Sequence, residues 1–397
     1  RRGTSIYLVD RVLPMLPEAL SADACSLKPD EDRLTLSALL ELDGAAQLTS
    51  VSYVAGVIRS RYKLSYDEAQ EMIDGRRKAE RDLRRALRRL RDLARRLRQR
   101  RQGRGGLDFD LPEARVVLNA AGEPTEVQQL LRLDSHRLVE EFMLLANEAV
   151  ARLARRRKWP FIYRIHEPPD PDRIERLREF LAGLSLPLRK NAHRSPKGLQ
   201  AVLQAVDGRP EEALVAMLVL RSLKQACYSV ERKGHFGLAA TAYTHFTSPI
   251  RRYPDLVVHR LLRSAVLEGN KVSESLTDRL RAVAEHASAR ERRAMKAERD
   301  SVELKKIEFI ERHIGDVFHG TISGVASYGV FVLLDGVLAE GLLHVSLLDD
   351  DYYHFVEEEY SLVGEHHRRR LRLGDRLVVR VIAVDRRARE VNLAAVE

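Results

Sequence analysis

The sequence is short of cysteine. Cys25 and Cys227 are the only two in 397 residues. They are too few and too far apart for a disulfide framework or a zinc site, which points to a reducing cytoplasm. Long apolar runs are missing too. No stretch reaches transmembrane length and no signal peptide is visible, so no membrane partner is expected. No internal repeat of fixed period is present, which argues against a repeat architecture. The chain opens on Arg1 rather than Met, and RRGTSIYLVDRVLPMLPEAL reads as the interior of a domain, so a truncated N-terminus is expected.

What the chain has is positive charge. Lys and Arg total 68 against 58 Asp and Glu, a formal charge of +10. That balance favours polyanionic partners, nucleic acid first among them. The composition, 44% hydrophobic and 32% charged, is globular, and the length allows two or three domains.

Residues 1–60 read as extended segments and turns, with the alternation of QLTSVSYVAGVIRS that of a half-buried strand. From about Ser65 to Gln102 the pattern is helical, with Leu83, Leu87, Leu90, Leu93 and Leu97 on one stripe and Gly103, Gly105 and Gly106 ending the helix. Arginines crowd its polar faces between Arg76 and Arg104. They read either as a solvated face or as a basic ridge for RNA, and the spacing does not separate the two. A second helix is expected over 130–157, with Leu138, Phe142 and Leu145 apolar and Glu140 and Glu141 beside them. YRIHEPPDPDRIERLREFL reads as strand, turn and helix, with Asp170 as cap. Further helices are expected over 211–229 and 254–312. Near Ile314 the texture turns to glycine and β-branched residues, which predicts a five-stranded OB-type barrel. The boundary is placed near residue 313, giving segments 1–313 and 314–397 of an α+β chain.

The stretch THFTSPIRRYPD puts Arg251 and Arg252 where a helix starts, although the end of the macrodipole there is already positive. Ser248 and Pro249 suit N-cap and N1, but Pro254 would break such a helix. The alternative is a distorted first turn followed by a helix from Pro254, with Asp255 in its first turn. Free N–H groups and two guanidiniums would bind phosphate. Tyr243, Thr244, His245, Thr247, Ser248, Tyr253 and His259 could add donors and aromatic faces. The competing reading pairs the arginines with Asp255 or other carboxylates.

HFGLAATAYTHFTSPIRRYPDLVVHRLL resembles the signature segment of the ribonuclease II/ribonuclease R (RNB) exoribonuclease family. RGTSIYLVDRVLPMLPEALSADACSLKPDEDRLTLS, RGGLDFDLPEA and HRLVEEFMLLAN resemble its other segments in order, and the terminal barrel resembles its S1-type OB domain. The chain is more similar to the ribonuclease R branch than to the ribonuclease II branch. The resemblance implies a partial RNB-type catalytic domain followed by an RNA-binding barrel. It implies processive 3′-to-5′ hydrolysis of RNA to nucleoside 5′-monophosphates with Mg2+ in a basic channel. Its partners would be single-stranded RNA and structured RNA with a 3′ overhang, bound by a cytoplasmic monomer.

By the same resemblance Arg251 holds the scissile phosphate, and Arg252 supports it or contacts the RNA backbone, with Tyr253 beside them. Tyr7 stacks on bases and Phe109 is its stacking partner. Glu141, or else Glu140, lies near the 3′-terminal nucleotide. Tyr328, Phe331 and His344 form the aromatic RNA face of the barrel, Asp385 and Arg389 its polar pair, and Phe318 has either role. The family's metal-binding, aspartate-rich motif has no match here. Asp108, Asp110 and Asp349-Asp350-Asp351 do not fit it, so no metal ligand is assigned. The chain by itself is therefore expected to bind RNA without cleaving it and to be unstable in isolation. The alternatives are a non-catalytic RNA-binding relative and a translation factor using the barrel.

Overall fold

The computed structural model describes residues 2–109, 113–209, 211–348, 350–356 and 361–396. Asp110 and Asp349 lie outside the described residues. Two short paired strands, β1 (Ile6–Tyr7) and β2 (Val12–Leu13), precede a long hairpin of β3 (Asp32–Leu42) and β4 (Leu48–Arg59). Alternation works as expected in this hairpin: Leu36, Ala38, Val51 and Tyr53 face a core that also holds Val150, Phe161 and Val258.

The helix expected over 65–102 is two helices, α1 (Tyr66–Asp74) and α2 (Arg81–Arg104). Ser65 starts α1 with a capping box: its hydroxyl accepts from the Glu68 N–H while the Glu68 carboxylate accepts from the Ser65 N–H. Gly75, at φ 83°, ends it. On α2 the buried face is Leu87, Ala94, Leu97 and Arg101, whereas Leu90 is 40% exposed. Of the leucine stripe, Leu87 and Leu97 are buried and Leu83 and Leu93 half-buried, and Ala94 and Arg101 add to that face. α2 runs through Gly103 and closes at Gly105 in the left-handed region.

A hairpin of β5 (Glu113–Leu118) and β6 (Pro124–Leu130) leads to α3 (Asp134–Arg156). β7 (Tyr163–Ile165) and α4 (Pro171–Gly183) follow, with the Asp170 side chain accepting from the Asp172 N–H as the expected cap. α5 (Lys197–Ala205) and α6 (Glu212–Ser222) pack with α4 around Ile174, Leu181, Leu199 and Val215. The helix expected to reach 229 stops at Ser222, because Cys227–Ser229 is strand β8, paired with β7. α7 (Tyr253–Leu262) and the 34-residue α8 (Thr277–Ile310) complete this part. At 1.5 Å per residue α8 spans about 50 Å. It buries Ala284 and Ala287 against Ile162 and Tyr228, and Ile307 and Ile310 in the core of the barrel.

The barrel closes in the order β10-β11-β16-β15-β9, from β9 (Val317–Ala326), β10 (Gly329–Leu334), β11 (Glu340–His344), β15 (Arg376–Asp385) and β16 (Glu390–Ala395). Five strands were expected and five close it. A three-stranded sheet, β12 (Tyr353–Val356), β13 (Ser361–Gly364) and β14 (Arg370–Arg372), is inserted after β11. Among the described residues no helix is long and apolar enough to cross a membrane.

Gly105 is required where α2 ends. Its φ is 103°, and an added Cβ would lie 2.6 Å from Lys197 Cγ. Gly105→Ala is predicted to lower stability by about 1 kcal/mol or more, read as a fall in the denaturant midpoint. An unchanged midpoint would contradict this account of the turn.

Candidate functional site

Two arginines adjacent in sequence have different fates. Pro249–Arg251 form a turn, Arg252 is the extended N-cap residue, and α7 starts at Tyr253. Pro254 is then in the first turn, where its missing N–H is no loss. Asp255, fully buried, organises the turn. It accepts the Ser248 N–H at 2.8 Å and both arms of the Arg252 guanidinium at 3.0 and 2.8 Å. Burial opposes charge on Arg252, but Asp255 outweighs it and raises the Arg252 pKa. Arg252 is therefore the carboxylate's partner: a buried Asp255 without this fork would be an unpaired charge.

Arg251 is exposed and makes no ion pair or side-chain hydrogen bond among the described residues. Its carbonyl accepts the Ser5 N–H at 2.9 Å and the Thr4 hydroxyl at 3.1 Å, while the Tyr253 N–H donates to the Gly3 carbonyl at 3.0 Å. The N-terminal segment is thus pinned across the arginine turn. Tyr7, 46% exposed, lies two residues beyond Ser5, about 7 Å of extended chain. Its N–H donates to Glu298 Oε1 on α8 at 2.8 Å. Tyr7 lines a cavity of about 800 Å³ with Asp10, Arg115 and Val117.

Phe109 does not share that cavity. Leu107 hydrogen-bonds to the Gly237 carbonyl, and the chain carries Phe109 onto the α4–α6 cluster, where it is partly buried. It lines a separate cavity of about 230 Å³ with Arg98 and Asp108. Tyr253, placed with the RNA contacts, is partly buried against Tyr228 and Val257.

Glu141 is buried and takes both the Nε and a terminal nitrogen of Arg101, at 3.0 and 2.7 Å. Burial raises its pKa, against the pull of Arg101. Nearby Asp108 pairs with Arg98 at 2.8 Å and Arg132 at 2.9 Å, and Arg132 also holds Glu140. Burial would raise Asp108, but Arg101, Arg98 and Arg132 together hold it below the ordinary carboxylate range. Glu141 is not a solvated-face residue, whereas Glu140 stays partly exposed. Glu141 lines a small cavity of about 180 Å³ with Arg101, Arg104 and Glu148.

The polar residues of the signature segment are mostly spent on holding it. The Thr244 hydroxyl donates to the Ile162 carbonyl at 2.7 Å. Asn147 donates to the Tyr243 hydroxyl and accepts from the Phe246 N–H. Tyr228 and His245 Nδ1 are 2.8 Å apart, and the rings of His166, His235, Tyr243 and His245 touch edge to face in sequence. Asn147 and Tyr228 carried no sequence signal, because each meets the segment only through the fold.

On the barrel, Tyr328 is 48% exposed and meets Phe331 edge to face at 6.1 Å. His344 is exposed and opposes Gly329, which puts it on the same outer face of the β10–β11 ladder as Phe331. The expected aromatic face is brought together. The expected polar pair, Asp385 and Arg389, lies in the β15–β16 hairpin turn. Asp385 accepts the N–H groups of Arg387 and Ala388 in the β15–β16 turn, whereas Arg389 pairs with Asp300 of α8 at 3.2 Å. Phe318 packs against the barrel core.

Among the described residues no group of three or more His, Cys, Asp or Glu could hold a metal ion. Asp108, Glu141 and Asp255 are taken by guanidiniums, Asp350 by Arg369, and Asp351 by the N–H groups of Tyr352, His366 and His367. These carboxylates do not fit a magnesium site.

The RNB domain model matches residues 1–268. The chain belongs to the RNB family. An S1 RNA binding domain model matches residues 311–395 of this RNB chain. The chain is 41% identical over 401 residues to ribonuclease R of Aquifex aeolicus (strain VF5), covering 100% of itself and 57% of that protein. It therefore spans little more than half that relative's length. Among solved structures it resembles Mycoplasma genitalium RNase R in complex with ribose methylated single-stranded RNA, with TM-score 0.93, 27% identity and coverage of 99% and 63% of the two chains. The same enzyme in complex with double-stranded RNA matches with TM-score 0.86 and 25% identity, covering 99% and 66%.

The imidazoles behind the arginine turn give this RNB chain a pH dependence. Burial lowers His166, His245 and His259 and takes His235 to about 3. Below about pH 6.5 the unfolded chain binds protons that the folded chain refuses, so stability falls with falling pH. Denaturant titrations at pH 7 and pH 5 are predicted to differ by up to about 1.4 kcal/mol per pH unit for each such histidine. His235→Gln should flatten the slope. A flat wild-type profile would contradict neutral burial.

Proposed function

We propose that this chain is the RNA-gripping part of a 3′-to-5′ exoribonuclease that hydrolyses RNA processively to nucleoside 5′-monophosphates. The observation that carries the reading is the unpaired Arg251 guanidinium, fixed beside the segment that presents Tyr7. The fork binds the oxygens of the scissile phosphate, where charge develops in the transition state. The Tyr7 ring stacks on a base without reading its identity, as a nuclease of low sequence preference requires. Arg252 positions Arg251 through Asp255 and does not touch the substrate. Tyr328, Phe331 and His344 offer a second stacking surface on the barrel.

The RNA partner is supported by the S1 match and by the two M. genitalium complexes. Single-stranded RNA and structured RNA with a 3′ overhang are the proposed substrates of a cytoplasmic monomer. Magnesium is implied by the family resemblance. The carboxylates described here do not fit it, so no step is derived through a metal.

Arg251→Ala in the full-length enzyme is predicted to lower turnover at saturating RNA by about 10²–10³-fold, with a far smaller change in RNA affinity. Single-turnover degradation of a 5′-labelled RNA with magnesium reads both. Weakened binding with unchanged turnover would remove Arg251 from the transition state. RNA affinity of this chain should also fall steeply between 50 and 200 mM salt, by about 300-fold or more if six or more phosphates are neutralised. A flat response would contradict a phosphate-gripping surface.

A further inference from the structure

The arginines of α2 divide into two sets. In the C-terminal half, Arg95 pairs with Asp134 at 2.6 Å, Arg98 with Asp108 at 2.8 Å, Arg101 with Glu141 at 2.7 Å and Arg104 with Glu148 at 2.8 Å. These arginines bind the helix to its neighbours. In the N-terminal half, Arg81, Arg84, Arg88 and Arg89 are exposed and have no ion pair or side-chain hydrogen bond among the described residues. Leu83 and Leu87 pack on Met72 and Ile73, which fixes this stretch of helix on α1 and turns the arginines outward.

Arg81, Arg84 and Arg88 follow one another at spacings of three and four residues, so they share a face. Arg89 flanks them, and so does Arg85, whose only partner among the described residues is the exposed Asp82 at 2.9 Å. The row covers about 12 Å of helix axis. Like charges at this spacing repel one another and weaken the helix. An array of closely spaced anions laid along it would reverse that cost. Guanidiniums suit phosphate oxygens in particular, because each fork donates two parallel hydrogen bonds.

We infer that Arg81, Arg84, Arg88 and Arg89 form a second RNA contact, which grips the ribose-phosphate backbone of RNA separately from Arg251. The inference rests on the RNA-binding reading above and adds a surface to it. Phosphate contact at this row is independent of sequence and sensitive to salt. It supplies affinity and takes no part in cleavage.

The test is fluorescence anisotropy of this chain with a labelled 20-nucleotide oligoadenylate, titrated across salt. The variant R81A/R84A/R88A/R89A is compared with the wild type and with the quadruple lysine variant. Alanine is the best helix former, so the helix should survive, and circular dichroism checks it. The alanine variant is expected to bind at least tenfold more weakly at low salt. Its plot of log affinity against log salt should be shallower by about 2 to 3, at about 0.7 per lost phosphate contact. The lysine variant should keep most of the wild-type slope. Wild-type slope and affinity in the alanine variant would overturn the inference and leave the Arg251 reading standing. Failure of the wild-type chain to bind RNA at all would overturn both.

Discussion

The arrangement of this molecule around its candidate site depends on one buried carboxylate. Asp255 is inaccessible to solvent, so it must be matched charge for charge. Arg252 does this, and the Ser248 N–H completes it. Three consequences follow. The turn over 249–251 is closed from inside, α7 starts at a fixed point, and Arg251 is left facing solvent with its charge unspent. A pair of adjacent arginines thus becomes one structural and one available guanidinium. The N-terminal segment then hydrogen-bonds to the Arg251 carbonyl, which sets Tyr7 a few ångströms of chain away.

The same division recurs at larger scale. Arg98, Arg101, Arg104, Arg132 and Arg164 each meet a carboxylate that is mostly withdrawn from water, and these pairs join α2, α3, β7 and α8. Breaking Arg101–Glu141, the pair buried on both sides, by removing one partner costs about 3–5 kcal/mol, because the other charge stays buried. The excess positive charge that faces solvent is what remains for a polyanion. Helix α8 adds the mechanical link. It contributes to the core beneath the arginine turn and to the core of the barrel, and Arg386 and Arg389 fasten the barrel to it by ion pairs with Glu308 and Asp300.

Much of this was legible in the sequence. The alternation of the β3–β4 hairpin, the Asp170 cap and the five barrel strands follow from local rules, whereas Tyr7 and Tyr328 were singled out only by the family resemblance. The distorted turn at Pro249 with a fresh helix start near Pro254 was one of two readings left open, and sterics at Pro254 decided for it. What local pattern did not give were partners distant in the chain. Arg252 and Arg251 are the same residue type one position apart, and only the burial of Asp255 separates them. Arg389 meets Asp300, 89 residues away in the chain, and Phe109 is carried onto the α4–α6 cluster by the Leu107–Gly237 hydrogen bond. Glu141 sits on what reads as a polar helix face until Arg101, from the buried face of α2, meets it. The break at Gly75 and the strand at Cys227–Ser229 were hidden because helical spacing continued through both.

The central claim is that the two guanidiniums at the turn have separate duties. It is tested most directly by NMR of the arginine Nε–H groups in this chain, assigned with R251K and R252K and followed during titration with a nucleoside 5′-monophosphate. The account predicts that the Arg251 resonance moves with added phosphate while that of Arg252 stays in place and exchanges slowly with water. A moving Arg252 resonance with Arg251 unaffected would contradict it.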